Sequence, residues 1–139
     1  MQRTAPKAIL IVMLVAIAHV CTAQTDEVKK LLTDARQKSY PENAVMVLRA
    51  DSVARATKDV AGQAAANNAA GGIYYSRDAD KAIMHLQKAR DQYTSLNNKK
   101  MAAYCMQNIA FAYEEQKNNV PTALDYTRKA LLLRTELKD

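Results

Sequence analysis

Two similar stretches in the second half of the chain decide the fold. Residues 70–89 read AGGIYYSRDADKAIMHLQKA, and residues 109–130 read IAFAYEEQKNNVPTALDYTRKA. Ala82 and Ala89 of the first stretch recur as Ala123 and Ala130 with the same internal spacing, and Ala44 lies at the equivalent point of an earlier unit. Self-similarity at a period of this length is typical of stacked helix pairs, each too small to bury its own apolar face.

Helical spacing of apolar residues extends outward from these stretches over most of the chain. Apolar residues recur at intervals of three and four, and short breaks rich in Asn, Asp and Pro separate the runs. The predicted helices span about residues 25–38, 42–57, 60–76, 79–96, 99–117 and 121–137. Because the connections are short, consecutive helices are expected to pair as hairpins over about 25–57, 60–96 and 99–137.

The composition supports helices and argues against some partners. Only three Gly and three Pro interrupt 139 residues, which is too few for a turn-rich β fold. Basic and acidic residues are mixed along the chain without a dense basic run, as on solvated helix faces. We therefore expect no nucleic-acid partner.

The first 23 residues have the pattern of a secretory signal peptide. Arg3 and Lys7 precede an uncharged apolar run over 8–18, and small residues up to Ala23 offer a cleavage site. The run is about half of the roughly 20 apolar residues that a membrane span needs. We expect export to the periplasm or the medium after cleavage near Ala23, without a membrane span afterwards. Retention as an anchor and lipidation at Cys21 are the alternatives.

Residues 24–139 are expected to form one helical domain stabilised by packing. Removal of Arg3 and Lys7 from the 20 basic residues leaves 18 Lys and Arg against 14 Asp and Glu, a net charge of +4. Cys105 is then the one remaining cysteine, so no internal disulfide can form.

Small and aromatic residues recur at matching positions of the second and third hairpins. In the second, Gly71 and Tyr74 lie on the first helix, and Ala82, Leu86 and Ala89 form a small, large, small pattern on the second. The third hairpin repeats the scheme with Ala110, Tyr113, Ala123 and Ala130. This pattern resembles the tetratricopeptide repeat (TPR) family, although the first hairpin fits poorly.

The resemblance implies an all-α, right-handed solenoid of about three stacked antiparallel hairpins. The repeats are several residues longer than the family's usual unit of about 34 residues, and look like those in extracytoplasmic sensor regions of bacterial signalling proteins. The family implies a protein- or peptide-binding adaptor. The alternative is a truncated extracytoplasmic sensor region of a larger receptor of the histidine-kinase type.

In such a solenoid the first helix of each hairpin lines a concave groove, where a peptide would lie. The groove candidates at outward positions of these helices are Lys29, Arg36, Asn68, Tyr75, Tyr104, Gln107, Asn108, Phe111 and Glu115. Asn can hydrogen-bond a peptide backbone, and aromatic side chains supply contact area. Phe111 could instead pack between hairpins. Because the second and third hairpins offer no Lys or Arg at these positions, the family's grip on a C-terminal carboxylate is not expected.

No arrangement of residues predicts catalysis, a metal site or a cofactor. His85 has no second ligand nearby in sequence and is expected at a surface or boundary, and Cys105 is expected to be a small core residue. Gly71-Gly72 lacks the further glycines of a phosphate loop. We therefore expect a protein that is not an enzyme and that holds neither metal nor cofactor.

The last predicted helix carries more leucine than one hairpin can bury. Terminal units of a solenoid need a polar outer face, whereas three consecutive leucines at 131–133 must point in different directions. The predicted terminal stacking surface consists of Leu132, Leu133 and Leu137. A second copy of the chain forming a homodimer, another protein, or further repeats of a longer protein would cover it.

Overall fold

The computed structural model describes residues 25–137, which are all-helical without a strand among them. This confirms the predicted all-α class. The helices are α1 (25–35), α2 (Glu42–Ala56), α3 (Val60–Tyr74), α4 (Ala79–Ser95), α5 (Lys99–Phe111) and α6 (Val120–Thr135). The predicted signal peptide lies outside the described residues. Within them, no helix combines the length and apolar character that crossing a membrane requires.

The helix starts agree with the predicted breaks because polar side chains cap the helices there, whereas the first, third and fifth helices end earlier than predicted. Each helix from α3 to α6 begins after an Asp or Asn whose side chain accepts a hydrogen bond from the backbone N–H three residues on. These N-caps are Asp59, Asp78, Asn98 and Asn119. Such caps satisfy backbone donors that a helix start leaves unpaired.

The fifth predicted helix is interrupted, and the cause is an insertion. The stretch between the N-caps Asn98 and Asn119 is two residues longer than the corresponding stretch between Asp59 and Asp78. Five residues at Ala112–Gln116 form a π-helix directly after α5. A π-helix bonds residues five apart, so each of its turns holds more residues than an α-helical turn and takes up extra residues. Because of this insertion, matching residues that precede it in their hairpins, such as Gly71 and Ala110, lie two residues closer in sequence than matching residues that follow it, such as Ala82 and Ala123.

Small side chains let the helices pack closely. Each helix from α2 to α6 contacts its neighbours in the chain, and many fully buried side chains at these contacts are alanines. At the α3–α4 contact, Gly71 has no room for a side chain, because an added Cβ would lie 2.5 Å from Leu86 Cγ. Leu86 is itself buried and cannot move aside cheaply.

A hydrogen-bonded polar network joins α3 to α4 beside the apolar core. The Asn67 amide, 3% exposed, donates to Gln63 O at 3.0 Å and to Gln92 Oε1 at 3.2 Å. His85 Nδ1 lies 2.9 Å from Asn67 Oδ1, and the imidazole stacks on Tyr74 with ring centroids 5.8 Å apart. The network satisfies the buried amide, whose burial would otherwise be costly.

Gly71→Ala should destabilise the fold, and Gly72→Ala should not. Overpacking against Leu86 costs about 1–3 kcal/mol, which exceeds the gain of up to about 1 kcal/mol from replacing a helical glycine by alanine. Nothing lies within 4 Å of a Cβ added at Gly72. In that control, alanine should therefore only increase helix propensity and slightly stabilise the fold. Urea denaturation followed by circular dichroism measures both. Equal effects of the two substitutions would contradict the close packing described at Gly71.

Stability should fall as the pH drops below about 6.5, and His85 should be the cause. Burial lowers the pKa of His85 below its ordinary value of 6.5, and the nearby Lys88 charge lowers it further. The unfolded chain therefore binds the proton more readily, so this contribution is present above pH 6.5 and is lost on acidification. Thermal unfolding at pH 7.5 and pH 5.5 measures it. In His85→Gln, which retains a donor for Asn67, the difference between the two pH values should shrink. An unchanged difference would contradict this role.

Candidate functional site

A cleft with a volume of about 480 Å³ lies over one face of α3. The floor of the cleft is formed by small residues of α3, namely Ala65, Ala69 and Gly72. Residues of α1 and α2 form much of its walls. The remaining lining residues are Leu32, Ala35, Arg36, Lys38, Asn43, Val47, Asn68, Ile73, Arg77, Tyr93 and Met101. The volume falls within the range of roughly 300–1,000 Å³ that is typical of binding pockets.

The charge lining this cleft is positive. Arg36, Lys38 and Arg77 line it, and no Asp or Glu does. Lys38 has a carboxylate 3.6 Å away in Glu42, and the Arg77 guanidinium lies over the Tyr40 ring, 4.7 Å from its centroid. Arg36 forms no ion pair within residues 25–137. The cleft therefore favours anionic groups.

Two amide side chains, those of Asn43 and Asn68, line the cleft. The Cys105 thiol donates to Asn68 Oδ1 at 3.6 Å, which leaves the Asn68 amide N–H groups available as donors. Asn43 Oδ1 is buried and accepts no hydrogen bond in the described part of the chain. Because Asn43 Oδ1 is buried, the Asn68 amide is the group placed to bind a peptide, by donating to a backbone C=O.

The environment of the Cys105 thiol keeps it protonated and therefore unreactive. Its side chain is fully buried in a cluster with Ala102 and Tyr93, as expected for a small core residue. Burial raises the pKa of Cys105 to about 12. Since the thiolate is the nucleophile, the residue positions Asn68 rather than reacting.

Two of the predicted groove residues, Tyr75 and Glu115, form a hydrogen bond just beyond the end of α3. Tyr75 OH donates to Glu115 Oε2 at 2.7 Å, which joins the end of α3 to the π-helix. Burial, followed by the hydrogen bond and charge of Glu115, raises the pKa of Tyr75 to about 12. The phenol therefore remains protonated and keeps donating at neutral pH.

The structure brings some predicted groove residues together and separates others. Arg36 and Asn68 line the cleft. Tyr104 and Phe111 are exposed on α5, outside the cleft lining, and Gln107 and Asn108 beside them are half-buried. The exposure of Phe111 favours a surface position over packing between hairpins. Lys29 is also exposed and lies 3.7 Å from Asp26.

Sequence reasoning missed several residues of the cleft. Lys38 and Arg77 follow the ends of α1 and α3, and Asn43 belongs to the first turn of α2. The predicted groove used only the outward positions of first helices, whereas these three side chains reach the cleft from turns and from a second helix. Only the packing of α1 and α2 against α3 places them there.

The described residues contain no group of three or more His, Cys, Asp or Glu side chains that could hold a metal ion. Comparison with known proteins adds no relative. Neither a protein-family model, nor a curated protein, nor a solved structure matches the chain.

Cys105 should resist alkylation in the native protein. At about pH 8 a thiol with a pKa of about 12 is almost wholly protonated, and its burial excludes the reagent. Iodoacetamide labelling followed by peptide mass spectrometry should show modification of Cys105 only after denaturation. Ser95→Cys, at an exposed position, is the matched control and should react at once. Rapid native labelling of Cys105 would contradict the burial that orients Asn68.

Proposed function

We propose that this chain is an exported adaptor that binds a protein or peptide through a groove formed by three TPR-like helix hairpins. The cleft over α3 is the observation that carries this proposal. It is open, lined by cations and equipped with an amide donor.

Matching structural details support a repeated arrangement of hairpins. Lys58 and Asn97 both have a positive φ, and each directly precedes a capping side chain. Gly71 and Ala110 are separated by the same interval as these two residues, and both are buried on the first helices of their hairpins. Contacts between first helices also exist, since Asn68 of α3 reaches Cys105 of α5. A solenoid of about three hairpins accounts for these regularities.

The chemistry of the cleft favours an extended segment with acidic side chains. A peptide backbone C=O would accept a hydrogen bond from the Asn68 amide, while carboxylates along the peptide would approach the cations Arg36, Lys38 and Arg77. Small side chains on the floor of the cleft would let the backbone approach α3 closely. This mode of binding does not require a grip on a terminal carboxylate.

Export is proposed on the sequence pattern of residues 1–23. An exported adaptor would meet peptides and proteins outside the cytoplasm. The adaptor function does not depend on catalysis, metal or cofactor.

Fluorescence anisotropy with two labelled peptides tests the proposal. An acidic peptide rich in Glu and Gly should bind, and its counterpart with Lys in place of Glu should not, because the cleft lining is cationic. Arg36→Glu should weaken binding of the acidic peptide by about tenfold or more, since it replaces an attractive charge by a repulsive one at the site. Asn68→Ala should weaken it without changing its salt dependence.

Lys100→Glu is the matched control, because it makes the same change of charge at an exposed position outside the cleft lining. It should leave affinity nearly unchanged once the salt concentration is moderate. Equal losses in Arg36→Glu and Lys100→Glu would show that net charge alone attracts the peptide. Absence of binding by the acidic peptide, or equally tight binding of the peptide with Lys in place of Glu, would contradict the acidic-segment proposal.

A further inference from the structure

A second cleft, with a volume of about 330 Å³, lies between α5 and α6 beside the end of α4. Its apolar wall consists of Ala102 and Met106 from α5 and of Leu132 and Leu133 from α6. It shares no lining residue with the cleft over α3. Its volume lies at the lower end of the range of roughly 300–1,000 Å³ that is typical of small-molecule sites.

The equivalent space in the second hairpin is filled by side chains of the chain itself. There the amides of Gln63 and Asn67 each form a hydrogen bond with Gln92. In the third hairpin, Ala102 stands at the position of Gln63, and Leu133 stands at the position of Gln92. The shorter side chain leaves a hollow, and the loss of the amides makes its wall apolar. An apolar hollow of this kind accepts an apolar ligand more readily than it accepts water.

The charged residues that line this cleft are both cations. Lys99 and Lys129 line it, and no Asp or Glu does. Lys99 Nζ lies 2.9 Å from Glu136 Oε2, and Lys129 Nζ lies 2.6 Å from Asp125 Oδ2. All four side chains are more than a third exposed, and exposed ion pairs are weak. Because an ammonium group has three N–H donors, each lysine can also bind an anion inside the cleft.

The polar lining residues gather at the end of the cleft where Lys99 lies. Thr94 from the last turn of α4 and Asn97 from the turn before α5 complete the lining there. The Asn97 side chain is exposed and forms no hydrogen bond within the described part of the chain, so its amide can donate to an anion. Lys99 and Met106 are separated by about 10 Å along α5 at the rise of an α-helix. This distance is comparable with the length of a medium-chain alkyl group.

We propose that this cleft binds one anionic amphiphile, a medium-chain carboxylate. Its head group accepts hydrogen bonds from Lys99 and Asn97, and its alkyl chain lies along Ala102 towards Met106. An apolar side chain from another protein would fill the hollow but would leave both donors unused. A carboxylate with an alkyl chain uses the donors and the hollow together. The site does not depend on peptide binding over α3.

Two leucines of the predicted terminal stacking surface line this cleft. Leu132 is 58% exposed, and Leu133 is half-buried. Leu137 is exposed after the end of α6. Leu124 and Leu131 of α6 are also exposed, by 64% and 60%, but neither lines the cleft. Leu131 and Leu132 are therefore nearly equally exposed neighbours of which only Leu132 belongs to the site.

Isothermal titration calorimetry of the purified full chain tests the proposal with octanoate, octanol and octyltrimethylammonium. One octanoate per chain should bind with a dissociation constant below about 1 mM, a gain per atom well within what small ligands achieve. Octanol should bind about tenfold more weakly, because it lacks the charge that strengthens the hydrogen bonds to Lys99 and Asn97. The cation should bind more weakly still. Absence of octanoate binding, or equal affinities for the three ligands, would overturn the proposal.

Two neighbouring substitutions test the position of the site. Leu132→Glu places a negative charge in the lining and should weaken octanoate binding by at least about tenfold. Leu131→Glu makes the same change outside the lining and should leave the affinity nearly unchanged. Circular dichroism confirms that both variants remain folded. Equal losses in the two variants would overturn the proposal, because net charge alone would then explain them.

A second pair of substitutions tests the head-group contact. Lys99→Met should weaken octanoate binding about tenfold without changing octanol binding, and Lys100→Met, outside the cleft lining, should change neither. Glu136→Gln should strengthen octanoate binding, because it removes the carboxylate that competes for Lys99. If Lys99→Met or Glu136→Gln leaves the octanoate affinity unchanged, the head group does not lie at Lys99 and the proposal is overturned.

Discussion

The close approach of neighbouring helices is the constraint on which the rest of the structure depends. Alanine at the helix contacts, and Gly71 against Leu86, allow short helices to bury their apolar faces although the chain contains no Trp and one Phe. Dense packing of small residues gains dispersion energy from many short contacts instead of from a few large side chains. Small side chains also make the face of α3 beneath the cleft shallow.

Equivalent positions of the second and third hairpins do not carry the same kind of side chain. Ala102 and Met106 of the third hairpin match Gln63 and Asn67 of the second, but they line an apolar cleft of about 330 Å³ beside Leu133 instead of forming a polar network. The backbone arrangement thus tolerates either a hydrogen-bonded or an apolar filling at one location. Buried amides are acceptable in the earlier position because each finds partners there.

The candidate site combines residues that sequence reasoning found with residues that it could not find. Asn68 and Arg36 followed from the outward positions of helices and from the family resemblance. The side chains of Arg77, Lys38 and Asn43 could not be placed in that way, because turns have no periodic pattern that assigns a direction to a side chain. The orientation of Asn68 also depends on the Cys105 thiol, which belongs to the following hairpin.

The sequence by itself determined the helical class and where the helices begin, because periodic apolar residues and Asp or Asn caps act within a few residues of each other. It also determined that the last helix carries more leucine than its hairpin buries. Tertiary structure decided which leucines those are, since Leu124 and Leu131 differ from Leu133 only in the direction they face. It likewise decided that the two-residue insertion becomes a π-helix, and that cations from separate segments meet in one cleft, because these outcomes depend on contacts between distant parts of the chain.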